Sequence, residues 1–207
     1  MQRHSLDRLN KWALRPFFEI FFLVLATYNS AMAAPPTSPP LSVTQRAIKL
    51  YQEHHWWQGA RLLHDAVTAG DPVAQTNLGL AYLHSQGVFG SVLRAEYWFR
   101  KAAAQGFPRA EYLLGYLALR GWGHEFSRTV AMQDFRQAAH ARWPAAEQSL
   151  GWGYFRGWGV APNYQKSLYW LHRAVRHGAP AEMDLKIVQN TQRRMMVRIA
   201  PRAHSPM

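Results

Sequence analysis

Along the middle of this chain, residues of like chemistry recur every 36 positions, and a period of that length dictates a stack of similar units before any one segment is assigned. The pairs Leu78-Gly79, Leu114-Gly115 and Leu150-Gly151 superpose at this spacing. Ala74, Ala110 and Ala146 fall into one column, and Pro72, Pro108, Pro144 and Pro180 into another. Further columns hold Gly87, Gly123 and Gly159, then Ala95, Ala131 and Ser167, then Phe99, Phe135 and Leu171, then Ala102, Ala138 and Ala174. Gly106 and Gly178 agree, with Arg142 as the exception between them.

Each unit reads as two helices. Proline opens the first because its missing N–H would have no intrahelical partner there, and Asp71 before Pro72 is a good N-cap. Apolar or small residues follow at helical spacing, as in Ala74, Leu78 and Tyr82, and glycine is expected to end the helix near Gly87, Gly121 or Gly157. A second helix carries Trp98, Phe99, Ala102 and Ala103 and stops at Gly106. Small residues at 79, 115 and 151, and at 102, 138 and 174, let the two helices approach closely, while large neighbours fill the space between them.

The pattern A-x-x-x-L-G-x-x-Y, then G-x-G-V, then A-x-x-W-x-x-x-A-x-x-x-G resembles the Sel-1-like repeat family, a relative of the tetratricopeptide repeats. The third unit matches it best, through Ala146, Leu150, Gly151, Tyr154, Gly157, Gly159, Val160, Ser167, Trp170, Ala174 and Gly178. The first keeps Ala74, Leu78, Gly79, Tyr82, Gly87, Val88, Ala95, Trp98, Ala102 and Gly106. The second departs at Ala118 (for Tyr), His124 (for Val), Asp134 (for Trp) and Arg142 (for Gly), without loss of register. Upstream, Ala47, Leu50, Tyr51, Trp57, Ala60, Leu63 and Ala66 look like a shorter tetratricopeptide-type hairpin. The resemblance implies an all-α fold, an α-α superhelix of antiparallel helix pairs, whose end units are atypical because one face meets solvent.

The expected organisation is a signal peptide at 1–33, a Pro-rich linker at 34–41 and a capping hairpin at 42–71. Repeats then occupy 72–107, 108–143 and 144–179, followed by a capping helix at 180–200 and a tail at 201–207. The leader is read from basic Arg3, Arg8, Lys11 and Arg15, an apolar run from Ile20 to Ala26, and the small-x-small site Ala31-Met32-Ala33. Its apolar run is far shorter than the ~20 residues that span a bilayer, which favours cleavage over retention as an anchor. The localisation this implies is periplasmic or secreted, after cleavage near Ala33. Cleavage there removes four basic and two acidic residues, so the formal charge falls from +12 to +10. The absence of Cys excludes a disulfide framework, a thiolate nucleophile and Cys-ligated metal.

Within a first helix, Ala74, Leu78 and Tyr82 point towards the partner helix, and positions 76, 80, 83 and 84 point away. In tetratricopeptide-like stacks the latter face is the concave ligand groove. The register assigns to it Thr76, Leu80, Leu83 and His84, then Tyr112, Tyr116, Leu119 and Arg120, then Gln148, Trp152, Phe155 and Arg156, with Arg109 beside them. Two readings of this track compete. Aromatic residues at helical spacing are commonly core, whereas Tyr, Trp and Arg are also the side chains that anchor peptides or stack on sugar rings. A row ending in His84, Arg120 and Arg156 is an awkward core, which favours recognition.

No catalytic constellation is legible. Glu111 and Glu147 are repeat-equivalent, but neighbouring first helices lie about 10 Å apart, too far for paired carboxylates to work on one bond. Both are expected instead to stabilise the positive end of their helices. No two His stand four residues apart, so no helical metal-ligand pair exists, and no nucleophile elbow is present. Neither cofactor nor metal is expected. Nucleic acid, suggested by charge alone, conflicts with export.

The expected role is that of an exported protein-binding scaffold which holds a partner protein or peptide through His84, Tyr112, Tyr116, Arg120, Gln148, Trp152, Phe155 and Arg156. The alternative is an anionic cell-envelope polysaccharide on the same aromatic and Arg track. The basic run from Gln192 to Arg198 also suits an anionic membrane surface. Enzymatic activity of the kind attributed to cysteine-rich relatives is disfavoured by the absence of Cys. The mass of the exported protein is expected to correspond to a chain beginning at Ala34, and a species retaining Met1 overturns the cleavage.

Overall fold

A large side chain of one helix sits on a glycine of its partner, three times over. In a computed structural model that describes residues 41–123 and 126–199, the seats are Gly79 under Phe99, Gly115 under Phe135 and Gly151 under Leu171. A Cβ added to these glycines would lie 2.5, 2.8 and 2.6 Å from those side chains, inside any real contact distance. The chain divides into units Met1–Leu41 and Ser42–Met207, and all the described helices belong to the second. The expected leader and C-terminal tail, and His124, lie outside the described residues.

Among the described residues there are nine helices and no strand. A capping hairpin is formed by α1 (Val43–Gln52) and α2 (Trp56–Thr68). The three repeats follow as α3 (Pro72–His84) with α4 (Val92–Ala103), α5 (Pro108–Arg120) with α6 (Arg128–His140), and α7 (Pro144–Arg156) with α8 (Tyr164–Arg176). The last helix is α9 (Glu182–Ile199). Each packs chiefly on its neighbours in sequence, the arrangement of a solenoid.

The local chemistry repeats with the period. Each second helix starts at a side-chain cap: Ser91 accepts from the Arg94 N–H (3.3 Å), Ser127 from Val130 (3.2 Å) and Asn163 from Lys166 (2.8 Å). Each first helix has Pro at its opening turn, but only Asp71 supplies a capping side chain, to the Val73 N–H at 2.8 Å. Gly121 and Gly157 end α5 and α7 in the left-handed conformation, and Ser85, not Gly87, takes that place after α3.

The core lies between paired helices and is divided along the stack. One cluster joins the capping hairpin to the first repeat around Leu63, Leu78, Tyr82 and Phe99. A second gathers Met132, Phe135, Leu150 and Tyr154, with Trp143, Trp158 and Trp170 packed against it. A third seals the end, where Leu171 and Ala174 meet Val188 of α9.

Because the seats leave no room for a side chain, Gly115→Val is expected to cost about 3 kcal/mol, at the upper end of overpacking penalties, as measured by urea unfolding.

Candidate functional site

Five of the expected track residues are engaged in packing. Leu80 and Leu83 pack on the first core cluster, Tyr112 and Leu119 on the second and Phe155 on the third. Burial raises the Tyr112 hydroxyl pKa above its ordinary value. Gln148 donates to Asp184 of α9 at 2.6 Å, so the capping helix already holds it. Thr76, expected to face outwards, is fully buried, and its hydroxyl donates to the Pro72 carbonyl at 2.8 Å; this corrects the outward assignment.

Tyr116 and Trp152 belong to none of the three clusters. They are equivalent positions one repeat apart, and each lies beneath the arginine one turn later. The Arg120 guanidinium is 5.2 Å from the Tyr116 ring, and that of Arg156 is 5.0 Å from the Trp152 ring. Arg120 and Arg156 are exposed, as is His84, which stands at the same position of the first repeat.

At the other end of this face, a hollow of about 420 Å³ crosses three successive first helices. It is lined by Tyr51, Trp56, Asn77, Leu80, His84 and Arg109, among others. Arg109 is half-buried, and loss of hydration pulls its pKa below the ordinary value. Among the described residues it has no ion-pair partner. A carboxylate is the group that would restore what burial takes from it.

The remaining charge clusters were not legible as such. The expectation that Glu147, like Glu111, serves chiefly the positive end of its helix is corrected: Glu147 is 0 % exposed, with Arg173 Nη2 at 2.9 Å and His177 Nδ1 at 2.7 Å. Its equivalent in the first repeat, Gln75, accepts from Gln105 in the same place. Around this ion group lies an open basic hollow lined by Arg142, Tyr169, His172, Arg173, Arg176 and His177. Arg142 occupies the repeat's glycine column at φ 60, where Gly106 and Gly178 have φ 71 and 91. A Cβ at either glycine would meet nothing within 4 Å, so an arginine there costs only the backbone strain, about 1 kcal/mol. The exception in the column was the signal for this residue.

A smaller cavity, of about 210 Å³, lies between α4 and α6 and is lined by Glu96, Arg100, Leu114, Leu117, Ala118, Trp122, Ser127, Val130 and Asp134. Burial, only partly opposed by Arg100 and reinforced by Glu111, pushes the Asp134 carboxyl up to about 6. Among the described residues no three His, Asp or Glu side chains gather as a metal site, and no helix is long and apolar enough to cross a membrane. The far end of α9 leaves Arg193, Arg194, Met195, Met196 and Val197 exposed.

A family model described as Sel1 repeat matches residues 72–107, 108–140 and 144–178. Among solved structures, a Sel1 repeat protein from Oxalobacter formigenes is similar at 31% identity with a TM-score of 0.64, over 69% of this chain and 59% of that one. A protective antigen present in uropathogenic Escherichia coli strains, displaying an SLR fold, aligns at 24% identity with a TM-score of 0.63, over 72% of this chain and 34% of that one. This chain therefore spans about three fifths and one third of their lengths. No curated protein matches the chain in sequence.

The buried position of Glu147 predicts that Glu147→Ala, which leaves Arg173 and His177 without their partner, destabilises by about 3 kcal/mol. Glu111→Ala is expected to cost less than about 1 kcal/mol, the size of a helix-terminus effect, in the same urea titration.

Proposed function

The chain belongs to the Sel1 repeat family, whose members generally mediate protein–protein interaction, and on that premise we propose that it is an exported adaptor which binds an acidic peptide segment of a partner protein along its first helices. Its work is binding, not catalysis. Arg109 carries this reading: a half-buried guanidinium without an ion-pair partner among the described residues, set in an aromatic-walled hollow, is poised for a carboxylate. Tyr116 and Trp152, outside the core and covered by Arg120 and Arg156, extend the same face by one and two repeats. Amphipathic rings with guanidinium groups over them are the side chains that dominate peptide and protein interfaces. Export rests on the leader read at residues 1–33.

A second reading is favoured by the basic hollow of Arg142, His172, Arg173 and Arg176. Its guanidinium groups suit the carboxylates or sulfates of an anionic envelope polysaccharide, and the strained Arg142 backbone supports a role beyond packing.

Affinity capture from cell envelopes with the mature chain discriminates the two. Replacing Tyr116 and Trp152 by Ala is expected to leave helical circular dichroism intact and to abolish capture of the partner. Arg109→Ala is expected to weaken binding about tenfold or more. Unfolding of the double variant overturns the groove. Binding that collapses with added salt and with Arg142→Gly, while Arg109→Ala is silent, favours the polymer.

A further inference from the structure

Two departures of the second repeat from its pattern, Ala118 and Asp134, converge on one place. At the junction of the second and third repeats, Met132, Tyr154, Trp158 and Trp170 come together in the core. Their equivalents one repeat earlier are Glu96, Ala118, Trp122 and Asp134, and all four line the cavity between α4 and α6. The corresponding position of the first repeat again holds an indole, Trp98, packed on its own cluster. The cavity is thus the seat of the repeat's tryptophan, emptied by Asp134 and widened by Ala118 in place of Tyr.

Its walls retain the apolar character of that seat through Leu114, Leu117, Val130 and the indole of Trp122. At about 210 Å³ it exceeds the ~150 Å³ that suffices to hold a benzene ring in a protein interior. Its charge has been inverted relative to the rest of this basic chain. Arg100 donates to Glu96 Oε1 from Nε at 2.9 Å and from Nη2 at 2.6 Å, so the cation among the described lining residues is committed to the first carboxylate. Asp134 has no hydrogen bond to any described residue, and Glu111 adds further negative charge nearby. Burial makes ionised Asp134 unfavourable in the empty cavity, and a cation beside it would relieve that cost.

We infer that this cavity binds a small arylalkylammonium, its aromatic ring in the vacated tryptophan seat between Leu114, Leu117 and Trp122 and its ammonium at the Asp134 carboxylate. The ring takes the place that Trp170 fills one repeat on, and the ammonium supplies Asp134 with a counter-charge of its own. Trp122 also packs edge-on against Tyr116, with ring centroids 5.9 Å apart, and the Arg120 guanidinium lies 5.9 Å from the Trp122 ring, so an occupied cavity abuts the proposed peptide-binding face.

The test is calorimetric titration and thermal shift of the full chain with tryptamine, using indole-3-propionate as the same ring with the opposite charge. Tryptamine is expected to bind and to raise the melting temperature, with indole-3-propionate at least about tenfold weaker. Asp134→Asn, nearly isosteric, is expected to weaken tryptamine about tenfold by removing the charge alone. Asp134→Trp and, separately, Ala118→Tyr restore the residues of the third repeat; each is expected to abolish binding, and the first to raise the melting temperature of the unliganded chain. Trp152→Ala, on the other face, is expected to leave tryptamine binding unchanged while weakening partner capture, which separates this site from the groove. Equal affinity for the two probes, no binding at millimolar tryptamine, or undiminished binding to the Asp134→Asn or Ala118→Tyr chain overturns the assignment.

Discussion

The close approach of paired helices over glycine is the constraint on which the rest depends. Gly79, Gly115 and Gly151 let the side chains of Phe99, Phe135 and Leu171 lie directly on the backbone of the partner helix. That contact sets the spacing of the pair, and the spacing sets which residues are left to meet the next repeat. Alanines at 95, 131, 102, 138 and 174, all fully buried, keep the same distance along the rest of each pair. A solenoid built from such pairs has a nearly constant interior and can vary its junctions, since each repeat contacts only its neighbours.

Variation is found there. The junction of the second and third repeats is filled by aromatic and thioether side chains, whereas the junction before it holds two carboxylates, an arginine and empty space. The two differ at equivalent positions while the glycine seats between them are unchanged. Packing that fills the later junction is given up at this one, and the chemistry installed there is charged.

The first-helix face and the basic hollow divide the remaining charge between them. Arginines over Tyr116 and Trp152 leave the rings half-covered and their own donors towards solvent. Arg173 and His177 are drawn inwards by Glu147, which leaves Arg142 and Arg176 as the guanidinium groups of the basic hollow that make no ion pair among the described residues, with His172 beside them. The proposed adaptor role uses the first set and the polymer reading uses the second.

The period of 36, the helix pairs, their proline openings and the identity of the glycine seats were all legible in the sequence, because each is a local or strictly periodic requirement. The outward face was legible only in part: helical spacing assigned Tyr116 and Trp152 to it, but equally assigned Thr76, which is buried, and Phe155, which the terminal cluster claims. Angle around one helix does not state what a neighbouring helix covers. For the same reason Glu147 read as a helix-terminus carboxylate until α8 brought Arg173 and His177 against it. Ala118, Asp134 and Arg142 were visible as breaks in a pattern, yet a break does not say what takes the vacated place. The sequence determined the unit and its register, since both follow from neighbours along the chain. Which side chains stay exposed, which ions pair and where a tryptophan seat stands empty were decided by packing between repeats, which joins residues 30 or more positions apart.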